Sequence, residues 1–166
     1  MIYVLDAYNV IHKIPQLEAI LDKDLRSARN ALVNLCQDLA SRRKDISEII
    51  LVFDGNSKFH DLPQLNFGKI KLIFSETNED ADERIITILE KLTKERNKCV
   101  VSDDNFVRNH ARVYEAQAMS VSEFEQLIHP KNKKKRNNQL SSKGFSLSPK
   151  IAEEITEAYK KELGLD

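Results

Sequence analysis

The sequence has no tryptophan, only two cysteines, no long apolar run and no net charge. Cys36 and Cys99 have no CxxC spacing. They read as two buried thiols rather than as a metal or redox site. No apolar stretch approaches the roughly 20 residues that a membrane span needs. Met1 to Leu5 runs directly into Asp6, without the hydrophobic core of a signal peptide, so a soluble, cytoplasmic chain is expected. His12, His60, His110 and His129 show no ligand spacing and read as surface or loop residues. No internal repeat is present.

What is there suits one compact domain with an appendage: 166 residues, 41% of them apolar, are enough for a core. The zero net charge hides an asymmetry. Residues 130–166 hold nine Lys or Arg against five Asp or Glu, which leaves 17 basic and 21 acidic groups in the first 129 residues. An acidic body with a basic extension fits a protein that gathers carboxylates at a site yet approaches a polyanion.

Short β-rich apolar runs alternate with helical periodicity. Ile2–Leu5, Glu48–Phe53, Lys69–Phe74 and Lys98–Val101 read as buried strands, and Val113–Ala118 as a weaker fifth. Between them Asp24–Arg43 places Leu25, Ala28, Leu32, Leu35, Cys36 and Leu39 on one helical face. Glu79–Glu95 does the same with Ile85, Ile88, Leu89 and Leu92, with Ser75 and Asn78 as candidate N-caps. A short helix is predicted over Asp104–Ala111, and another from Ser120 or Ser122 to Ile128. Asp54–Gly68 reads as a loop. The pattern predicts an α/β fold, a three-layer α/β/α Rossmann-like domain over residues 1–129 with a central parallel five-stranded sheet in the order 3-2-1-4-5. Residues 130–147 read as a basic flexible linker. Residues 148–166 read as an amphipathic helix that opens on Ser148-Pro149.

In an open parallel sheet, functional groups collect beyond the carboxyl ends of the strands. Each such end carries acid: Asp6 after the first strand, Asp54 after the second, Glu76, Glu79, Asp80, Asp82 and Glu83 after the third, Asp103 and Asp104 after the fourth. Any one of these alone is an ordinary turn, cap or helix-start residue. Their coincidence on one rim is different, because like charges repel and a fold has little reason to gather them without a cation. Hard oxygen donors without His or Cys point to Mg²⁺ or Mn²⁺, and phosphodiester hydrolysis is the matching reaction class. Asp54 stands farther along the expected strand order and is a weaker candidate.

The opening YVLDAYNVIHKIPQL resembles the start of NYN-domain ribonucleases, a branch of the PIN-like nucleases. IFSETNEDADERI and VVSDDNF resemble the corresponding motifs of the YacP-type subgroup, in the same order and spacing, over roughly residues 1–129. The resemblance implies a PIN-like domain with endoribonuclease activity on single-stranded RNA, Mg²⁺ or Mn²⁺ as cofactor, mRNA as substrate and the ribosome as partner. It makes Asp6 and Asp82 direct or water-mediated metal ligands and Asp104 the residue that completes the site. Asp103 is the alternative to Asp104, since the double Asp leaves the register open. Asn9 would orient Asp6 or contact substrate, and Asp80 and Glu83 would support the ligands.

Cations complete the expected interface. Lys131, Lys133, Lys134, Lys135 and Arg136 form a dense run suited to RNA phosphates, with a solubilising linker as the plainer reading. Lys13, Arg84, Arg108 and Arg112 lie near the predicted rim, and Lys58 and His60 lie in the loop after the second strand. Tyr8 could stack on a base or simply pack. Two rival functions share the scaffold: a non-catalytic RNA- or ribosome-binding module, and a phosphatase or DNA nuclease.

Overall fold

The computed structural model describes residues 1–55, 65–76 and 79–130. The predicted linker beyond Pro130 and the terminal helix, the run Lys131–Arg136 with Lys133, Lys134 and Lys135, and also Lys58, His60 and Asn78, lie outside the described residues.

Strands β1 (Ile2–Asp6), β2 (Glu48–Phe53), β3 (Leu65–Phe67), β4 (Ile70–Phe74), β5 (Lys98–Val101) and β6 (Gln117–Met119) form one sheet in the order β3-β4-β2-β1-β5-β6. The predicted 3-2-1-4-5 order survives as β4-β2-β1-β5-β6, all parallel. The correction is a sixth strand. Leu65–Phe67, read from sequence as loop, pairs antiparallel with β4 at the sheet edge. Leu65-Asn66-Phe67 alternates apolar and polar over only three residues, too short a run to signal a strand, and the pairing with Ile70–Leu72 makes it one. The last strand is also displaced from its predicted span: Val113 closes the preceding helix, and pairing begins at Gln117.

The helices are α1 (Ala7–Lys13), α2 (Pro15–Leu21), α3 (Leu25–Arg42), α4 (Ala81–Lys91), α5 (Asn105–Val113) and α6 (Val121–Ile128). The period of two along β1 sorts them into layers. Tyr3 and Leu5 join a core with α1, α2, α3 and α6, while Ile2 and Val4 join a second core with α4 and α5. β1 is covered on both faces, which is why all five of its residues are buried.

The helix starts are built from side chains. Asp24 caps α3 and Asp80 caps α4, in place of the predicted Ser75 or Asn78. Ser120 closes a capping box with Glu123 on α6. Ser75 is used elsewhere: its hydroxyl accepts the Gly55 amide and donates to Asp54, and its backbone accounts for Gly55. A Cβ on Gly55 would lie 2.1 Å from the Ser75 carbonyl oxygen, so only glycine fits.

Candidate active site

The sheet order reverses between β1 and β5, each parallel to β1's other neighbour β2, so the carboxyl ends of β1 and β5 flank the crevice of a doubly wound sheet. Leu5 pairs in register with Val101, which brings Asp6 level with Ser102. Asp6 ends β1 and caps α1, its Oδ1 accepting the Asn9 amide at 3.3 Å. The Ser102 hydroxyl donates to the other oxygen, Oδ2, at 3.4 Å. The same hydroxyl oxygen accepts the Asp104 amide at 3.1 Å. Ser102, fully buried, therefore bridges two of the predicted acids. Ser102 belongs to the VVSDDNF stretch, but the sequence alone assigns it no role of its own.

The two adjacent aspartates face different ways. Asp103 accepts the Val121 amide at the start of α6 through Oδ1, at 3.0 Å. Its own amide donates to Asn9 Oδ1 at 3.1 Å. Asp104 caps α5, where the Phe106 and Val107 amides both bond to its Oδ1, at 2.7 and 3.2 Å. It is exposed, and its charge acts on both Asp6 and Asp82.

Electrostatics define the cluster. Asp6 is 8% exposed, and its pKa is pushed up to about 6. Burial is the main cause; the charges of Asp82 and Asp104 add to it, and the bonds from Asn9 and Ser102 oppose it. Asp82, half-buried in the first turn of α4, is also raised, by burial and then by Asp104, Asp80 and Asp54. Asp54 accepts a 3.1 Å bond from the Ser75 hydroxyl, and Asp80 uses Oδ1 to accept the Glu83 amide at 2.8 Å. Asp6, Asp82 and Asp104, drawn from three stretches of chain, are thus within electrostatic reach of one another.

Among the described residues, no three His, Cys, Asp or Glu side chains converge tightly enough to ligate an ion by themselves. The donor set still suits a hydrated hard cation: Mg²⁺ keeps several waters and binds through one or two carboxylates. A buried carboxylate held up by two anionic neighbours is the group such a cation relieves.

The cations and aromatics are arranged less simply. Arg84 pairs with Glu79 at 3.6 Å. Lys13 is exposed at the end of α1, and Arg108 lies within reach of Glu123 on α6. Tyr8 is engaged inside the fold: Arg29 donates to its hydroxyl, and its ring meets Phe53 edge-on at 5.5 Å. The Arg29 guanidinium also lies over Phe53 and Phe74. Sequence reasoning missed Arg29. The available signal was a lone cation at position i+4 from Leu25 on the apolar stripe of α3.

Comparisons with known proteins match this picture. The family of YacP-like NYN domains matches residues 3–164. The chain is 27% identical over 165 residues to the Bacillus subtilis (strain 168) protein named uncharacterized protein YacP, covering 96% of this chain and 95% of that one. The crystal structure of Rae1 (YacP) from Bacillus subtilis superposes with a TM-score of 0.63 at 20% identity, over 99% of this chain and 84% of that chain. A point mutant of the same protein gives 0.64 at 24% identity, over 78% and 75% of the two chains. These likenesses carry the fold, and the family match spans both the acidic domain and the basic extension. No helix among the described residues is long and apolar enough to cross a membrane. The chain belongs to the family of YacP-like NYN domains, a ribonuclease-type module on a mostly parallel α/β sheet.

Proposed function

We propose that this chain is a cytoplasmic endoribonuclease that uses Mg²⁺ or Mn²⁺ to hydrolyse single-stranded or ribosome-associated mRNA. The observation that carries the proposal is Asp6, a buried carboxylate pushed up to about 6 that faces the charges of Asp82 and Asp104 at the switch point of the sheet. A perturbed acid in a crevice with like-charged neighbours is a functional-site signature, because it costs stability without a compensating ligand. Asp6, Asp82 and Asp104 would hold the ion directly or through its waters.

When bound, the ion supplies a nucleophilic water near neutral pH and offsets negative charge on the phosphoryl group. The protein's own part is positioning. Ser102 keeps Asp6 and Asp104 in one arrangement, Asn9 fixes the turn that carries both Asp103 and Asp104, and Asp80 starts the helix that presents Asp82. Lys13, Arg84, Arg108 and the run Lys133–Arg136 would draw the RNA backbone to an otherwise acidic rim. mRNA and the ribosome as partners follow from the resemblance to YacP-type proteins.

Cleavage of single-stranded RNA by the Asp6→Asn and Asp82→Asn proteins, with added Mn²⁺, tests the reading. Both are expected to lose activity by about 100-fold or more while still binding RNA, as removal of a metal-oriented nucleophile does. Cleavage at the parent rate in both variants overturns it. RNA binding that is insensitive to chelator, with no product from the parent protein, favours the non-catalytic module instead. DNA and phosphomonoester substrates in parallel separate the remaining reaction classes.

A further inference from the structure

Phe106 is 50% exposed and is the aromatic among the large apolar side chains most open to solvent in the described residues. Its helix does not need it there: α5 buries Val107 and Ala111 against the sheet. The Phe106 amide donates to Asp104 Oδ1 at 2.7 Å, which fixes its backbone in the turn that Asp104 caps. One turn on, the His110 ring lies 4.2 Å from the Phe106 ring, centroid to centroid, with the planes inclined at 52°. His110 Nδ1 is 2.8 Å from the Phe106 carbonyl oxygen. A carbonyl only accepts, so Nδ1 carries the proton and the imidazole is pinned in place.

Charge points to the occupant. From Asn105 to Val113 the helix carries Arg108, His110 and Arg112 and no acidic residue, whereas the rim beside it is built of aspartates. Helix α5 therefore adds positive charge beside the acidic rim. A solvent-facing aromatic pair beside the capped start of α5 offers a flat apolar surface of the kind on which single-stranded nucleic acids stack. Tyr8, the other aromatic near the acids, is tied to Arg29 and Phe53.

We infer that Phe106, backed by His110, is a stacking platform for an unpaired base of the RNA strand next to the acids on α5's N-terminal side. This rests on the nuclease reading and adds a subsite to it. Stacking needs a base free of its partner, so the platform selects single strands over duplex.

Because the chain has no tryptophan, Phe106→Trp installs a single tryptophan at the platform, excited selectively at wavelengths beyond the absorption of the tyrosines. In an Asp82→Asn background that leaves the RNA uncut, its emission is expected to be quenched saturably by a short single-stranded RNA and not by the same sequence as duplex. Val113→Trp, at the far end of α5, is the control and should show no quenching. In the otherwise unaltered protein, Phe106→Ala is expected to raise the KM for single-stranded RNA about 10-fold, the scale of one base–aromatic stack, with the loss in KM rather than kcat and Phe106→Tyr restoring it. Thermal melting checks that each variant is folded. Equal KM for Phe106→Ala and the parent, or equal quenching at positions 106 and 113, overturns the platform. If that happens while Asp82→Asn still abolishes cleavage, the stacking site alone falls. If the parent cuts no RNA but tryptophan at 106 is quenched by single strands, the nuclease reading falls and the platform stands as a binding site.

Discussion

The Asp103 amide donates to the side-chain oxygen of Asn9 at 3.1 Å, joining residues 94 positions apart. The bond fastens the first turn of α1 to the turn after β5, so the two segments that carry Asp6 and Asp104 cannot drift separately. In Asn9→Ala a part-buried amide loses its acceptor, which costs about 1–3 kcal/mol. The expected result is a lower Tm, with RNA cleavage at 25 °C falling further than the unfolded fraction accounts for. Parallel melting curves and initial rates check it.

Asp6 gives a pH dependence with a definite sign. Its pKa is raised from 3.8 to about 6 in the folded protein, so the folded state binds the proton more tightly than the unfolded state does. The group therefore favours folding below about 4, and that contribution is lost as pH rises through about 6. Asp6→Asn should raise stability at pH 7 in chelator, by up to about 3 kcal/mol, and flatten the stability profile between these values. Added Mn²⁺ should stabilise the parent and not the variant. For activity the sign is opposite: cleavage needs the ionised acid, so it should fall as pH drops through about 6, with the midpoint moving lower as Mn²⁺ is raised. Denaturation and rate profiles across this range test both halves.

Two isosteric changes separate the adjacent aspartates. Asp103→Asn keeps an oxygen to accept the Val121 amide and removes a charge that takes no part in raising Asp6 or Asp82. It should leave cleavage near the parent level and cost less than about 1 kcal/mol of stability. Asp104→Asn keeps an acceptor for the start of α5, since Asn caps helices about as well as Asp. It removes a charge that faces both other acids, so cleavage should be lost and the Asp6 pKa should fall. Carboxyl titration by NMR beside cleavage assays reads both effects.

The basic run acts through salt. Replacing Lys133, Lys134, Lys135 and Arg136 by alanine should weaken single-stranded RNA binding at low salt. It should also make the dependence of log K on log salt shallower by about 3, if all four contact phosphates. A salt titration of binding in the Asp82→Asn background measures it. An unchanged slope assigns the run to solubility alone.

How much of this was legible in the sequence varies by element. β1, β2, β4 and β5 were clear because each carries a dense run of β-branched and other apolar residues, as a strand covered on both faces does. Helix α3 was clear because its stripe runs through five turns. The α1–α2 pair was not, since Pro15 cuts the periodicity into two pieces of seven residues each. The edge strand β3 needed a partner to exist at all.

Composition and periodicity are local, so the chain alone dictated a parallel sheet, acids beyond its strand ends and a basic extension. The direction of each side chain beyond those ends is not local. It depends on turn geometry and on partners far along the chain, as with Asn9 and Asp103 or Asp6 and Ser102. Only the folded protein could therefore bring the charge of Asp104 within reach of Asp6 and Asp82, give Asp103 to α6, and engage Tyr8 while leaving Phe106 in solvent. The shift at Asp6 has the same origin, because desolvation and repulsion sum over neighbours that only the tertiary structure brings together.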